Sequence, residues 1–468
     1  MTIEEILAIA IEKPAEAVRQ LKGVIDVVPV AEYRDQLDPM KHKIFNKIYR
    51  PDKEVENDET KRKVKVPVAR IPLALQKLIV ERAVSFLFGF DPKIKAEPNG
   101  PVEEALLKAV KNVLNISKSN SLNAEVANDL FSCTQVAEMW YATKLKENQN
   151  IYGFDSEFKL RNMVFSPLRG DNLYPFYDEE NGDLVAFSRE YRVTNLDGTF
   201  TYFTTYTDER IIHFDITKDA VIIPGKDLKN ELKKIPIVFA TQPNVEWYVV
   251  QSCIERLEDL MSNFADTNDY NGSPILFGKG SIGKAPGKTT AGKFITGTGE
   301  SADLKYVTWD QAPESMKLEI EKLYDIIFGF TQTPNISFEM VKGIGTTSGI
   351  ALKLLFMDAH LKVQTKRRIF DTYLIRRINI IKEWLCTVQP EFKSAKYMHI
   401  QAEIIPYEII DYKELYDYLN VANGGQPVMA HDTSVQMTGQ IDDVKGEVEK
   451  IKKEVKERQL LEAFPENR

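Results

Sequence analysis

The sequence predicts an α+β protein that is mainly helical, and three patterns in it predict this. Apolar residues recur at steps of three and four through most of the chain, a stretch between residues 157 and 223 switches to β-branched and aromatic runs, and a glycine-rich insert separates two amphipathic helices. With 468 residues and 43% hydrophobic content the chain can bury a substantial core, and ordinary domain sizes point to about three folding units.

In chain order, the first 50 residues read as two helices, followed at 51–65 by PDKEVENDETKRKVK, where ten of fifteen residues are charged, a solvated loop. In VPVARIPLALQKLIVERAVSFLFGF, Leu75, Leu78, Ile79 and Phe86 share one helical face and Gly89 is a natural C-cap. Residues 101–148 read as further helices. The turn dipeptides Asn181-Gly182 and Asp197-Gly198 then precede LVAFSREYRV and TFTYFTTYT, which predicts an antiparallel meander.

After KKIPIVFATQPN the helical period returns, with Val250, Ile254, Leu257, Met261 and Phe264 at steps of four, three, four and three. A Gly- and Lys-rich stretch, NGSPILFGKGSIGKAPGKTTAGKFITGTGES, leads through the strand-like LKYVTW to a second helix from Pro313, with Met316, Ile320, Leu323 and Ile327 in register. The order is helix, compact β-containing insert, helix. TQTPNISFEMVKGIGTTSG has no regular period. Residues 350–388 lack Gly and Pro, which predicts a helix about 60 Å long. Between residues 361 and 382 it carries Lys362, Lys366, Arg367, Arg368, Arg376, Arg377 and Lys382 against one acid, Asp371. That stripe reads as a solvated or subunit-facing surface. Ile441, Val444, Val448, Ile451 and Val455 mark a terminal amphipathic helix of mixed charge.

Composition excludes several function classes. A net charge of -8 argues against a cationic binder that gains its affinity by neutralising phosphates. Cys133, Cys253 and Cys386 stand far apart without a C-x-x-C pair, so neither a disulfide framework nor a cysteine zinc site is expected, and a reducing compartment is. The N-terminal residues lack a basic leader and a cleavage site, so no signal peptide is expected. No apolar run reaches the about 18 residues of a membrane-spanning helix.

Candidate chemistry is sparse. Gly278, Gly283 and Lys284 satisfy G-x-x-x-x-G-K, but Ala285 stands where a phosphate loop needs a hydroxyl for magnesium, and Pro286-Gly287 opposes the helix that must follow. Gly283 to Gly287-Lys288-Thr289 has the hydroxyl but is one residue short. His42, His213, His360, His399 and His431 form no ligand spacing, and Asp266, Asp269, Asp442 and Asp443 read as solvated carboxylates. No catalytic residue, cofactor or metal is therefore expected. Lys279, Lys284, Lys288 and Lys293 lie in an insert, 273–298, that has no acid; charge pattern alone leaves open whether it is a solvated loop or a surface for a polyanion or acidic partner.

The collinear passages RIPLALQKLIVERAVSFLFGFDP, SPLRGDNLYPFYDEENGDLVAFSREY, the helix-insert-helix unit from Asn244 to Phe330, and TPNISFEMVKGIGTTSGIALKL together resemble the portal proteins of long-tailed bacteriophages. The resemblance implies a portal fold with wing, stem, clip and crown regions in a dodecameric ring at one capsid vertex, a conduit for double-stranded DNA in genome packaging, retention and ejection and in head-tail joining. It implies a wing at 1–245 with the antiparallel β meander, a first stem helix at 246–270, a clip at 271–308 and a second stem helix at 309–330. A tunnel loop at 331–347, wing again at 348–405 with the long helix and the strand after it, and a crown with the C-terminal helix at 406–468 complete the assignment. The tunnel loop would bring Glu339, Lys342, Gly343, Gly345, Thr346 and Thr347 to the DNA channel, and the clip would use Lys279, Lys284, Lys288 and Lys293 to dock partners. Implied partners are further copies of the chain, the packaging terminase, a head-completion adaptor, the major capsid and scaffolding proteins and the passing DNA, with no membrane. The implied location is the portal vertex of the virion, and the host cytoplasm during assembly. The C-terminal region is shorter than the family pattern, which weakens the crown assignment. Two other functions remain open on sequence alone, a magnesium-dependent nucleic-acid-processing enzyme and a phage structural adaptor without a conduit.

Overall fold

Local signals set many of the helix ends. The structure, a computed structural model, describes residues 2–23, 28–56, 62–271, 275–282, 297–307, 313–335, 354, 356–408, 412–424, 427–439, 441 and 443–463. Helix α1 (Ile3–Ala10) opens in a capping box, in which Glu5 N–H donates to Thr2 Oγ1 at 3.3 Å and Thr2 N–H donates to Glu5 Oε2 at 3.0 Å. α2 (Pro14–Lys22) starts on a proline, whose missing N–H is an orphan there in any case. α3 (Val30–Leu37) follows, so the opening segment holds three helices where the sequence suggested two. Residues 53–66 are not simply loop: β1 (Lys53–Glu56) and β2 (Lys63–Val66) pair antiparallel, a period-2 pattern hidden by its density of charge.

α4 (Leu75–Phe88) buries Leu75, Ile79, Val80, Ala83 and Phe86. Its C-cap, Gly89, has φ -65° and ψ -25°, a right-handed conformation and not the left-handed cap that the sequence suggests. Close approach explains the glycine instead. A Cβ there would lie 2.5 Å from the Ser85 carbonyl oxygen and 3.0 Å from side-chain carbons of Tyr407.

β3 (Lys93–Lys95), α5 (Pro101–Ile116) and α6 (Ser119–Cys133) follow, but residues 135–148, read as helical, belong to β4 (Gln135–Asn150). The inner end of β4 is covered on both faces, burying Val136, Ala137, Glu138 and Trp140, and this erased the alternation that identifies a strand. β4 is the middle of an antiparallel sheet with β5 (Asp155–Phe165) on one side and β11 (Ile237–Thr241) on the other. The predicted meander is present as five consecutive antiparallel strands, β6 (Asn172–Tyr177), β7 (Leu184–Asn195), β8 (Gly198–Tyr206), β9 (Arg210–Asp215) and β10 (Val221–Lys229). Gly182 turns the chain between β6 and β7 at φ +74°.

The centre of the meander is covered on both faces. Phe203, Ile212 and Phe214 pack against Ile6, Ala10, Ala17, Val18 and Leu21 of α1 and α2. Phe187 and Tyr206 pack on the opposite side with Ala137, Phe165 and Ile237 of the three-stranded sheet. A strand covered on both sides reads as a continuous run, which is what TFTYFTTYT is.

After β11 come α7 (Gln251–Asn271), β12 (Ile275–Ile282), β13 (Gly297–Val307) and α8 (Pro313–Phe330), the helix-insert-helix order that the sequence predicts. The long helix is α9 (Met357–Val388), 32 residues and about 48 Å. β14 (Gln401–Glu403) returns to pair with β3.

By contact the chain divides into two compact units, Met1–Asn335 with Asp358–Tyr407, and Ile336–Met357 with Glu408–Arg468. The second contains α10 (Tyr412–Asn423), α11 (His431–Met437) and α12 (Val444–Ala463). Asn423 Nδ2 donates to Ser434 Oγ at 2.9 Å, tying α10 to α11. On α12 Val448 is buried and Val455 exposed, so the apolar row predicted there is covered only in part.

Candidate functional site: a helix-hairpin-helix unit and the clamp behind it

α7 organises this region with two faces. Ile254 and Leu257 of the predicted apolar row are buried, as is Val250 just before the helix, Met261 and Phe264 are half-buried, and Leu260 is buried beside them. A polar row, Glu258, Asp259, Ser262, Asn263 and Asp266, steps by one helical turn and receives residues 42–73. Leu73 N–H donates to Glu258 Oε1 at 2.7 Å, Ile71 N–H to Ser262 Oγ at 2.9 Å and Ala69 N–H to Asp266 Oδ1 at 2.7 Å. Tyr49 OH donates to Asp259 Oδ2, and Arg50 to Asn263 Oδ1 and Asp266 Oδ2, each at 2.8 Å. Asp266, read from sequence as a solvated carboxylate, is thus a largely covered anchor.

His42 is the deepest of these contacts. Its Nδ1 lies 2.6 Å from Glu258 Oε1 and its Nε2 lies 2.8 Å from the Gln36 carbonyl oxygen, so both ring nitrogens face acceptors. Burial alone would lower its pKa, but the hydrogen bond and charge of Glu258 outweigh it and the pKa is raised.

The insert is an antiparallel hairpin. Gly278 of the G-x-x-x-x-G-K match pairs with Leu304 in mid-strand, whereas a phosphate loop needs a turn running into a helix. Lys279 is in β12, with Asp303 as its register partner. Lys284, Lys288 and Lys293 lie outside the described residues, as do Glu339, Lys342, Gly343, Gly345, Thr346 and Thr347.

α8 packs beside α7, where Arg256 Nη2 and Glu319 Oε1 lie 2.7 Å apart. Beyond α8 the chain is seized at once. Thr331 and Thr333 are buried, Thr331 Oγ1 donates to the Ile327 carbonyl at 2.7 Å, Lys362 Nζ donates to the Thr331 carbonyl at 2.9 Å, and Arg82 donates to the Pro334 carbonyl. Lys362 Nζ also lies 2.8 Å from Glu246 Oε2, and Lys366 pairs with the same carboxylate and donates to Gln242 Oε1 at 2.9 Å. Burial would raise the Glu246 pKa, but the two lysines outweigh it and hold it low.

The basic stripe of α9 is therefore mostly an internal buttress and not a surface. Arg377, 1% exposed, pairs with both oxygens of the fully buried Glu138, which also accepts from Tyr373 OH at 3.0 Å and from Trp140 Nε1. Arg376 donates to the Ile237 carbonyl at 3.0 Å, and Lys382 to the Met398 carbonyl at 2.8 Å. Arg367 lies 3.5 Å from Asp371, and Arg368 is exposed. Glu138 and Glu246 were missed by sequence reasoning. The available signal was a helix with seven cations and one acid, which must find its anions on other elements or stay in water.

Among the described residues no three His, Cys, Asp or Glu side chains gather as a metal site, and no helix is long and apolar enough to cross a membrane. Residues 32–460 match a known family, described as phage portal protein, SPP1 Gp6-like. The chain belongs to that phage portal protein family. A portal protein is structural and not enzymatic, which overturns the magnesium-enzyme alternative. This portal protein is a subunit of a ring-forming oligomer in the virion and of the DNA conduit at the capsid vertex. No curated protein matches the sequence. Similar solved structures include the neck of an empty GTA particle computed with C6 symmetry, at TM-score 0.40 and 11% identity over 78% of this chain and 88% of that one, and the virion of a native gene transfer agent particle, at 0.36 and 9% over 78% and 88%.

Proposed function

We propose that the portal subunit forms a dodecameric ring in which 1–245 and 348–405 are wing, 246–270 and 309–330 stem helices, 271–308 clip, 331–347 tunnel loop and 406–468 crown. The observation that carries this is the helix-hairpin-helix unit. Two packed helices bracket a β hairpin in the chain, the order that the stem and clip assignment requires. The clamp of Lys362 and Arg82 on the Thr331 and Pro334 carbonyls supports the tunnel-loop reading, because the loop then starts from a fixed base. The division between Tyr407 and Glu408 supports a crown boundary near 406.

Charge supports a conduit that guides DNA without gripping it. On α7 the only basic residue is Arg256, and Glu258, Asp259 and Asp266 are engaged by residues 42–73, while α8 carries Glu314, Glu319, Glu321 and Asp325 against Lys317 and Lys322. DNA affinity grows with each phosphate neutralised, and these helices offer few cations for that. The energy of packaging then comes from the terminase. The clip docks that motor during filling and the head-completion adaptor afterwards, through Lys279, Lys284, Lys288 and Lys293, while the wing meets major capsid and scaffolding proteins. Glu339, Lys342, Gly343, Gly345, Thr346 and Thr347 face DNA during packaging, retention and ejection. Assembly takes place in the host cytoplasm.

The test is a pair of measurements. Mass photometry and negative staining of the purified chain give closed rings of dodecamer mass, and a chain that stays monomeric at micromolar concentration refutes the assembly. Replacing 273–298 by a short Gly-Ser linker leaves rings intact and abolishes docking of motor or adaptor, whereas normal virion yield refutes the clip.

A further inference from the structure

We infer that Lys234, Arg376 and Lys396 form a binding site for a compact oxyanion of the phosphate class. None of these residues belongs to α7, α8 or the hairpin, so the inference does not depend on the stem and clip assignment.

Three segments bring the cations together. Arg376 and Lys382 lie on α9, Lys396 follows the 3-10 turn Pro390–Ala395, and Lys234 stands three residues before Ile237, where β11 begins. Lys382 is buried and acts as the strut: its Nζ donates to the Met398 carbonyl at 2.8 Å and to the Lys396 carbonyl at 3.4 Å, which draws the turn onto α9. Arg376 Nε donates to the Ile237 carbonyl at 3.0 Å, which draws in the approach to β11 and leaves the Nη pair of the guanidinium without a partner among the described residues. Lys234 is fixed through its backbone, because the buried Asn230 donates from Nδ2 to the Lys234 carbonyl at 2.9 Å and to the Thr207 carbonyl at 2.7 Å. Lys233, just before it, holds φ +49°, a left-handed conformation uncommon outside glycine. Such strain persists only where the surroundings over-determine it, and here it turns the segment that delivers Lys234.

The charges do not balance within the chain. Lys234, Arg376 and Lys396 gather near one carboxylate, Glu383, which already pairs with Lys396 at 3.0 Å. Among the described residues no carboxylate lies within ion-pair distance of Lys234 or Arg376. Three positive charges against one negative leave two in excess, with the field of Lys382 added from behind. The groups act on one another: burial lowers the Lys234 pKa, the Glu383 charge opposes this, and Arg376 and Lys396 push it down further. Burial also lowers the pKa of Arg376, against the charges of Tyr177 and Asp183, and that of Lys382, with Lys234 adding to it. Half-buried charges of one sign are costly together unless an anion completes them. A phosphate group matches the excess, with about two negative charges near neutral pH and oxygens enough for a guanidinium fork and two ammonium groups. A single carboxylate would neutralise only half of it.

The test uses the full chain with inorganic phosphate as the probe. Isothermal titration in chloride of matched ionic strength gives one saturable site per chain. Lys234→Gln and Lys396→Gln each keep the wild-type circular dichroism spectrum and weaken binding more than about tenfold, while Lys77→Gln, at an exposed position of α4, leaves it unchanged. Urea unfolding separates a built site from general salt screening. Without phosphate and at low salt, Lys234→Gln unfolds at a higher urea concentration than wild type, because one repelling cation is gone; phosphate then raises the wild-type midpoint and leaves that of the variant in place. A short DNA duplex that displaces phosphate makes a nucleic-acid backbone the source of the oxyanion, and one that leaves it bound makes a free anion the source; the phosphate class stands in both. Absence of saturable binding, equal weakening by Lys77→Gln, or a Lys234→Gln chain less stable than wild type without phosphate overturns the site.

Discussion

Glu246→Gln tests the clamp at the base of the proposed tunnel loop. One carboxylate serves two lysines there, and the Lys362 contact at 2.8 Å corresponds to a gross attraction of about 6 kcal/mol at an effective dielectric of about 20. Most of that is spent on desolvation, because Glu246, Lys362 and Lys366 side chains are only 5%, 10% and 16% exposed. Removing the carboxylate charge leaves that desolvation uncompensated and sets two cations side by side, so the expected loss is about 3–5 kcal/mol, the range for breaking a buried pair. The assay is guanidinium unfolding of wild type and variant at fixed protein concentration. The pH dependence has a defined sign: a carboxyl held below its unfolded value of about 4.3 contributes fully above that pH and loses its contribution as pH falls through the folded value. Wild type therefore loses stability in acid more steeply than Glu246→Gln. A loss under about 1 kcal/mol, or identical acid limbs, refutes the clamp as an energetic anchor.

Two further outcomes follow from the same contacts. His42→Gln costs about 1.5–3 kcal/mol near pH 6, the worth of a charge-assisted bond, and the difference from wild type shrinks as pH rises, because a raised histidine pKa stabilises below the unfolded value of about 6.5 and ceases to do so above the folded one; a difference independent of pH contradicts the imidazolium assignment. Gly89→Ala lowers unfolding stability by about 1–3 kcal/mol through the clash with the Ser85 carbonyl and the Tyr407 side chain, and a neutral or stabilising result contradicts that packing.

Legibility in the sequence followed the range of the interactions. The meander and the helix-hairpin-helix order were readable because a turn dipeptide and a run of helical steps are local patterns. β4 was unreadable because both of its faces are covered at the inner end, which removes the alternation that marks a strand. The ribbon at 53–66 was taken for loop because its alternating partner to valine is lysine, and charge density outweighed period. The role of the α9 cations was beyond reach for a different reason. Lys366 meets Glu246 across 120 residues and Arg377 meets Glu138 across 239, and no local pattern specifies such pairs.

That last correction bears on how DNA passes. A helix with seven cations and one acid, taken as a surface, would repeat a basic patch in every subunit of the ring, and a patch of that kind holds phosphates. In the fold, Lys362, Lys366, Arg377 and Lys382 are turned inward, and their charge is satisfied by Glu246, Glu138 and backbone carbonyls before any phosphate arrives. The same cations that make the long helix look like a nucleic-acid binder are internal anchors of the body that carries α7 and α8. One set of buried pairs thus anchors the body and withholds its cations from phosphates. Releasing it, by removing Glu246 or Glu138, would both soften the body and free cations within it, so loss of stability and stronger DNA retention should appear together in those variants and separately in none.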